Sequence, residues 1–141
     1  MRARRFTRPL AALATATLAA SLLAGCAAFG AATPEHAVQE RSAERWKALI
    51  AGDFNKAYGY MAPSYRAVTS FERYRSSIGG AATWISAEVL RVECATDKCT
   101  ARVKIEAKPI AAMHFKANIT TGVDETWLLE DSQWWLFQML L

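Results

Sequence analysis

Histidine and cysteine are scarce in this 141-residue chain, and their scarcity narrows the chemistry first. The two histidines, His36 and His114, stand at no zinc-finger-like spacing from the three cysteines. No metal and no other cofactor is expected. HExxH, a P-loop, GxGxxG and a Ser-His-Asp order are all missing. Net charge is missing too, once the chain is divided at Cys26. Residues 1–25 hold Arg2, Arg4, Arg5 and Arg8 with no acidic side chain, and so carry the whole formal charge of +4. The remainder has 13 basic and 13 acidic side chains. A near-neutral domain lacks the electrostatic footprint of a nucleic-acid binder, so no nucleic acid is expected as a partner.

What residues 1–25 do contain is a basic start, an apolar run from Leu10 to Leu23, and small residues before a cysteine. This is the layout of an export signal. Leu23, Ala24, Gly25 and Cys26 resemble the bacterial lipobox, in which the cysteine thiol is diacylated and the signal removed. That resemblance implies a palmitate-type anchor on Cys26, with two or more acyl chains for firm membrane attachment. The competing reading is an uncleaved transmembrane helix, since apolar and small residues continue from Leu10 to Ala32. The Ala- and Thr-rich run ends in a cleavage pattern, which favours removal. Under both readings the arginines stay inside and the domain lies outside the cytoplasm. Arg4 and Arg5 are followed directly by Phe6, departing from twin-arginine spacing. Ala27, rather than Asp, follows the cysteine. By resemblance to sorted lipoproteins, that implies the periplasmic face of the outer membrane. Three segments are therefore expected: a signal at 1–25, a lipidated tether at 26–33, and one domain at 34–141.

Lipidation of Cys26 resolves the odd cysteine count. Cys94 and Cys99 stand as C-A-T-D-K-C between two strand-like runs, so a hairpin brings them opposite each other at disulfide distance. An oxidising compartment permits the bond. Closing so short a loop contributes roughly 2 kcal/mol on the chain-entropy model. Zinc binding and redox catalysis by this pair are the less favoured alternatives.

Thr33 before Pro34 predicts a capped helix start, with Val38, Trp46, Leu49 and Ile50 near one side to about residue 51. Gly52 ends it. Asp53 caps a second helix with Phe54, Ala57, Tyr58 and Met61, which Pro63 closes. An extended piece over residues 65–68 then leads to Ser70, the cap of a third helix carrying Phe71, Tyr74 and Ile78, before Gly79 and Gly80. Beyond Gly80 the period changes to two. Ala101, Val103, Ile105 and Ala107 alternate with charged residues, so that strand has one buried face and one wet face. With Cys94 opposite Cys99, an unbroken register pairs Val92 with Ala101, Leu90 with Val103, Glu88 with Ile105 and Ser86 with Ala107. Asp131 and Ser132 form a two-residue turn closing a final ribbon. The ribbon has Trp127, Leu129, Trp134 and Leu136 on one face, and Leu128, Trp135 and Phe137 on the other.

The opening R-W-K-A-L-I-A-G-D-F-N-K-A-Y, the Pro63 to Arg66 element and the closing E-T-W-L-L-E-D-S-Q-W-W-L-F together resemble the nuclear-transport-factor-2-like, or ketosteroid-isomerase-like (cystatin-like), superfamily. The resemblance covers nearly all of residues 34–141. It implies an α+β cone, with N-terminal helices packed on a curved antiparallel four-stranded sheet and a pocket at the open end. One fold hosts many functions, so it implies fold rather than activity.

Candidate site residues follow from the register. Glu88 shares a face with Leu90, Val92, Val103 and Ile105, where burial would poise a carboxylate as a general base. The plainer reading puts it at the rim, solvated or paired with arginine. Glu125 sits similarly, beside Trp127 and opposite Gln138. Tyr58, Tyr65, Glu88 and Trp127 are the candidate ligand contacts. In the 109–118 segment, Ile110, Met113 and Phe115 read as strand extension, or alternatively as a lid or contact surface. Two functions are weighed. The favoured one is a non-enzymatic accessory lipoprotein, binding a small apolar ligand, an envelope protein or a second protomer against the double-faced ribbon. The alternative is an isomerase- or dehydratase-like enzyme with Glu88 or Glu125 as base in an apolar cone.

Overall fold

The computed structural model describes residues 33–78, 83–109 and 117–138. The lipobox, Cys26, nearly all of the tether, and Ile110, Met113, His114 and Phe115 lie outside the described residues.

Helix α1 spans Pro34–Ile50, and its start is set by Thr33, whose side chain accepts from the His36 amide while Pro34 needs no amide partner. Its buried stripe, Val38, Ser42, Arg45, Trp46 and Leu49, follows the helical period and includes two polar residues. Gly52 ends the helix with φ +76°, a conformation that favours glycine. Its amide donates to Leu49 O and that of Asp53 to Ala48 O, the paired bonds of a Schellman cap. Asp53 then caps α2 (Phe54–Tyr58) through the Lys56 amide.

Residues 65–68 are not extended, as the sequence suggested. They belong to a helix, α3 (Pro63–Val68), with Pro63 in its first turn. Proline starts a helix as readily as it stops one, because the amide it lacks would have no intrahelical partner there. The extended piece comes earlier. Met61 bridges to Leu136, with Ala62 N donating to Leu136 O and Leu136 N to Tyr60 O. Ser70 caps α4 (Phe71–Ser77) through the Arg73 amide, as expected.

The sheet is β1 (Trp84–Cys94), β2 (Lys98–Ala107), β3 (Ile119–Glu130) and β4 (Gln133–Phe137), antiparallel in the order β1-β2-β3-β4. It is the α+β architecture anticipated above. Asp131 and Ser132 take φ +51° and +61°, the paired positive values of a tight primed turn whose twist matches the flanking strands. Cys94 and Cys99 are disulfide-bonded, with Cα atoms 4.0 Å apart.

The β1–β2 register holds at the disulfide end, where Cys94 meets Cys99 and Val92 meets Ala101. It then departs from expectation. An irregularity between Val89 and Arg91 leaves Leu90 without an opposite residue, so Val103 faces Val89, Ile105 faces Ala87 and Lys104 faces Glu88. One extra residue reverses the phase of everything beyond it. A second irregularity between Trp84 and Ser86 does the same at Ile85, pairing Trp84 with Ala107 and Ser86 with Glu106. Leu90 (53 % exposed) and Ile85 (37 %) are the residues extruded.

The interior between helices and sheet is packed. Trp127, Tyr74, Leu49, Met61, Val38 and Val103 are all fully buried. Trp46 meets Trp84 edge-on at 5.0 Å, tying α1 to the start of the sheet.

Candidate functional site

Glu125 is the residue around which the interior is organised. It projects from the inner face of β3, 7 % exposed, into four donors. Ser42 Oγ donates to Oε2 at 2.6 Å, and Arg45 Nη1 and Trp46 Nε1 each donate to Oε1 at 2.8 Å. Trp127 Nε1 donates to Oε2 at 3.1 Å. Three of these donors sit at positions 42, 45 and 46, one helical face of α1. Arg45 is itself 8 % exposed, so the pair is an ion pair inside the core. Four donors occupy the four lone-pair directions of an ionised carboxylate. Together the four bonds fix the carboxylate in place, with both oxygens turned toward protein donors.

For Glu88 the structure has the plainer of the two readings, solvated and ion-paired, with a lysine in place of the arginine; the general-base alternative is removed by the Leu90 irregularity. Glu88 lies on the outer face, exposed, and pairs with Lys104 Nζ at 2.6 Å. The Glu88 carboxylate holds the Lys104 ammonium above its ordinary value, chiefly through that hydrogen bond. Solvent screens so exposed a pair. Glu88→Gln is therefore expected to leave the thermal midpoint of the domain unchanged within error, measured by circular dichroism. A clear drop would mean that Glu88 is buried after all.

The candidate ligand contacts are not gathered into one pocket. Tyr58 spends its hydroxyl on Thr69 O at 2.5 Å, joining α2 to the α3–α4 link, and tilts against Tyr74 with ring centres 5.2 Å apart. Tyr65 is in the core, and Trp127 is fully buried. Burial pushes the Tyr74 phenol up, an effect that the neighbouring Arg45 guanidinium partly offsets through its charge and a hydrogen bond. An open cleft of about 480 Å³ does border Glu125, lined by Arg45, Trp46, Val123, Leu136 and Phe137 among others. Among the described residues, no set of three His, Cys, Asp or Glu side chains could hold a metal ion.

Sequence reasoning missed Ser42, Arg45 and Trp46 as partners of Glu125. The signal was present: a serine and an arginine interrupt the apolar stripe of α1, and a glutamate interrupts the apolar face of β3. Polar interlopers on facing apolar surfaces are expected to pair with each other.

A second cluster lies on the other side of the last ribbon. The Arg41 guanidinium lies 5.0 Å from the Tyr60 ring centre and 5.1 Å from that of Trp135, and Arg66 lies 5.4 Å from Trp135. With its amide turned so that the oxygen faces α1, Gln133 accepts from Arg41 Nη1 at 2.7 Å and Nε at 3.3 Å. Tyr60 donates to Glu44 at 2.5 Å. Burial first, and this hydrogen bond second, push the Tyr60 phenol up to about 12. Because the folded value lies above the ordinary 10.0, its contribution to stability is complete below pH 10 and is lost as pH rises through the folded value. Tyrosine-labelled NMR across that range should show Tyr60 titrating near 12. In Glu44→Gln the midpoint should fall part of the way back. A complete return to the ordinary value would make the Glu44 contact, rather than burial, the dominant cause.

With helices covering one face of a β1-β2-β3-β4 meander and an ionic pair at its centre, the architecture can be set beside solved structures. A Campylobacter jejuni protein described as an NTF2-like transpeptidase superposes with a TM-score of 0.54 at 12 % identity, over 72 % of this chain and 98 % of that one. The fold is nuclear-transport-factor-2-like. Two SEC-C motif containing proteins also superpose on this chain. The one from Psychrobacter arcticus has a TM-score of 0.58 at 11 % identity, over 78 % of this chain and 63 % of that one. The one from Rhodopseudomonas palustris has a TM-score of 0.53 at 11 % identity, over 70 % of this chain and 73 % of that one. No protein-family model and no curated protein matches the sequence. At these identities the nuclear-transport-factor-2-like neighbours speak to fold alone.

Proposed function

We propose that this chain is an exported lipoprotein, anchored through lipid on Cys26, whose nuclear-transport-factor-2-like domain works by binding rather than by catalysis. The observation that carries the reading is the state of the two candidate bases. Glu125 accepts from four protein donors beside the cleft, and Glu88 is in solvent beside Lys104. Neither is poised to move a proton between ligand and protein. The open cleft at Glu125, where Trp46, Val123, Leu136 and Phe137 stand beside Arg45, Asp124, Thr126 and Gln138, is where a small ligand with an apolar body and a polar edge would sit. The disulfide supports an oxidising compartment, since such bonds persist mainly outside the cytoplasm.

The test is processing. Cys26→Ser is expected to leave an unprocessed precursor that incorporates no labelled palmitate, whereas the unaltered chain is shortened and labelled. Continued cleavage and labelling in the variant would place the modification elsewhere and end the proposal.

A further inference from the structure

The chemistry left over by this reading is on the outer face of the last ribbon. Arg41 from α1 and Arg66 from α3 converge on one indole, Trp135, and neither guanidinium has a carboxylate within ion-pair distance among the described residues. Among the described residues Arg73 and Arg75 also lack an ion pair, Arg75 lying 5.8 Å from the Phe54 ring centre, so what sets Arg41 and Arg66 apart is their convergence on one indole. Arg45 is paired with Glu125, Arg102 with Asp124 and Arg91 with Glu93. The acids nearest Arg41 along α1 are also engaged, Glu40 with His36, and Glu44 with Tyr60 and Lys56. Arg41 is held instead by the neutral Gln133 amide, and Arg66 by the Met61 carbonyl at 3.1 Å. Both guanidinium groups are therefore positioned without a direct ion pair, although the Glu44 carboxylate beside Tyr60 acts on Arg41 through space. Around them are Tyr60, half-buried Trp135 and, on the same side of β4, Phe137 at 43 % exposure.

Guanidinium groups over aromatic rings, with an exposed phenylalanine beside them, form a surface suited to the headgroup layer of a membrane. There, indole and phenol rings sit between apolar and wet surroundings, and arginine meets phosphate. Chain length points the same way. The seven residues from Ala27 to Thr33 span at most about 25 Å. Arg41 lies only about 10 Å along α1 from Pro34. A lipid on Cys26 would therefore leave this platform able to reach headgroups.

We propose that Arg41, Arg66, Tyr60 and Trp135 form a docking platform for anionic lipid headgroups, which orients the tethered domain on its membrane. This rests on the lipid-anchor reading above. Each arginine is expected to favour the docked state roughly fivefold on an anionic surface.

The experiment uses the lipidated protein in nanodiscs of phosphatidylcholine, or of equal parts phosphatidylcholine and phosphatidylglycerol. Each carries a trace of lipid with a gadolinium-chelating headgroup, and broadening is read residue by residue by NMR. In anionic discs, the Trp135 indole and the Arg41 and Arg66 side chains should broaden before Glu88 and Lys104 do. The selectivity should fall several-fold in Arg41→Gln and Arg66→Gln, and in high salt. It should survive Arg41→Lys with Arg66→Lys, and Arg102→Gln should change nothing. If the glutamine variants fail to fold, the lysine pair and the salt series on the unaltered protein decide alone. Equal broadening in neutral and anionic discs, or broadening centred on β1, would overturn the proposal. So would Arg41 and Arg66 shifts elicited by a polyglutamate peptide in discs where lipid gives none, which would assign the platform to an acidic protein segment. Palmitate incorporation is scored on the same preparation, so failure of the anchor and failure of the platform are read separately.

Discussion

Glu125→Leu is expected to destabilise the domain by at least about 3–5 kcal/mol, the cost of leaving the Arg45 guanidinium charged, buried and unpaired, with the loss of three further hydrogen bonds adding to it. Urea unfolding followed by fluorescence measures it. Pairing the change with Arg45→Met should recover the charge component and no more. The Ser42 hydroxyl and the Trp46 and Trp127 indole N–H groups would still have lost their acceptor. Each buried donor left unsatisfied costs about 1–3 kcal/mol. The double variant therefore separates the ion pair from the hydrogen-bond hub around it. A cost for Glu125→Leu near zero would mean that water reaches the carboxylate, and would reopen Glu125 as a chemical group.

The second large effect is expected at Trp127, the largest of the fully buried side chains. Trp127→Ala removes an indole that packs the inner face of β3, where its backbone pairs with Cys99 on one side and Leu136 on the other. A loss of about 3–5 kcal/mol follows from lost burial and the void left behind. Trp127→Phe keeps most of that volume and gives up the hydrogen bond to Glu125, so it should cost about 1 kcal/mol from that bond, plus a smaller packing loss. If the two variants lose the same amount, the hydrogen bond to Glu125 outweighs the packing, and the interior is less filled than it looks.

Much of the scaffold was legible because it is written in local chemistry. Thr33, Asp53 and Ser70 cap three helices through their own side chains, and Asp131-Ser132 makes the turn that its position demanded. The disulfide end of β1–β2 was legible for the same reason, since a five-residue separation leaves one way to pair the strands. Pro63 was misread because proline marks both ends of a helix, and the bridge that decides between them, Met61 to Leu136, joins residues 75 apart. The phase of β1 was misread because Ala87 and Val89 are as able to face inward as Leu90, so an unbroken strand and a bulged one look alike in the sequence. Only the fate of Glu88 distinguishes them: unbroken pairing would have buried a carboxylate without a partner. Glu125 was found as a residue but not as a network. Its partners on α1 lie about 80 positions away, and no local period reports which polar residue meets which across a core.

Ile85 and Leu90 bear on how many copies can share one surface. Both bulges fall on β1, the end strand of the described sheet, and each breaks the even row of amide and carbonyl groups along that strand. A straight end strand is a template onto which a neighbouring chain can add its own, and a twice-interrupted one is a poor template. In the lipid-anchored state proposed above, copies would be confined to two dimensions, where encounters between like molecules are frequent. Irregular pairing that cost the sheet two ladder positions would there act as insulation, allowing a dense population of the domain to remain individually folded.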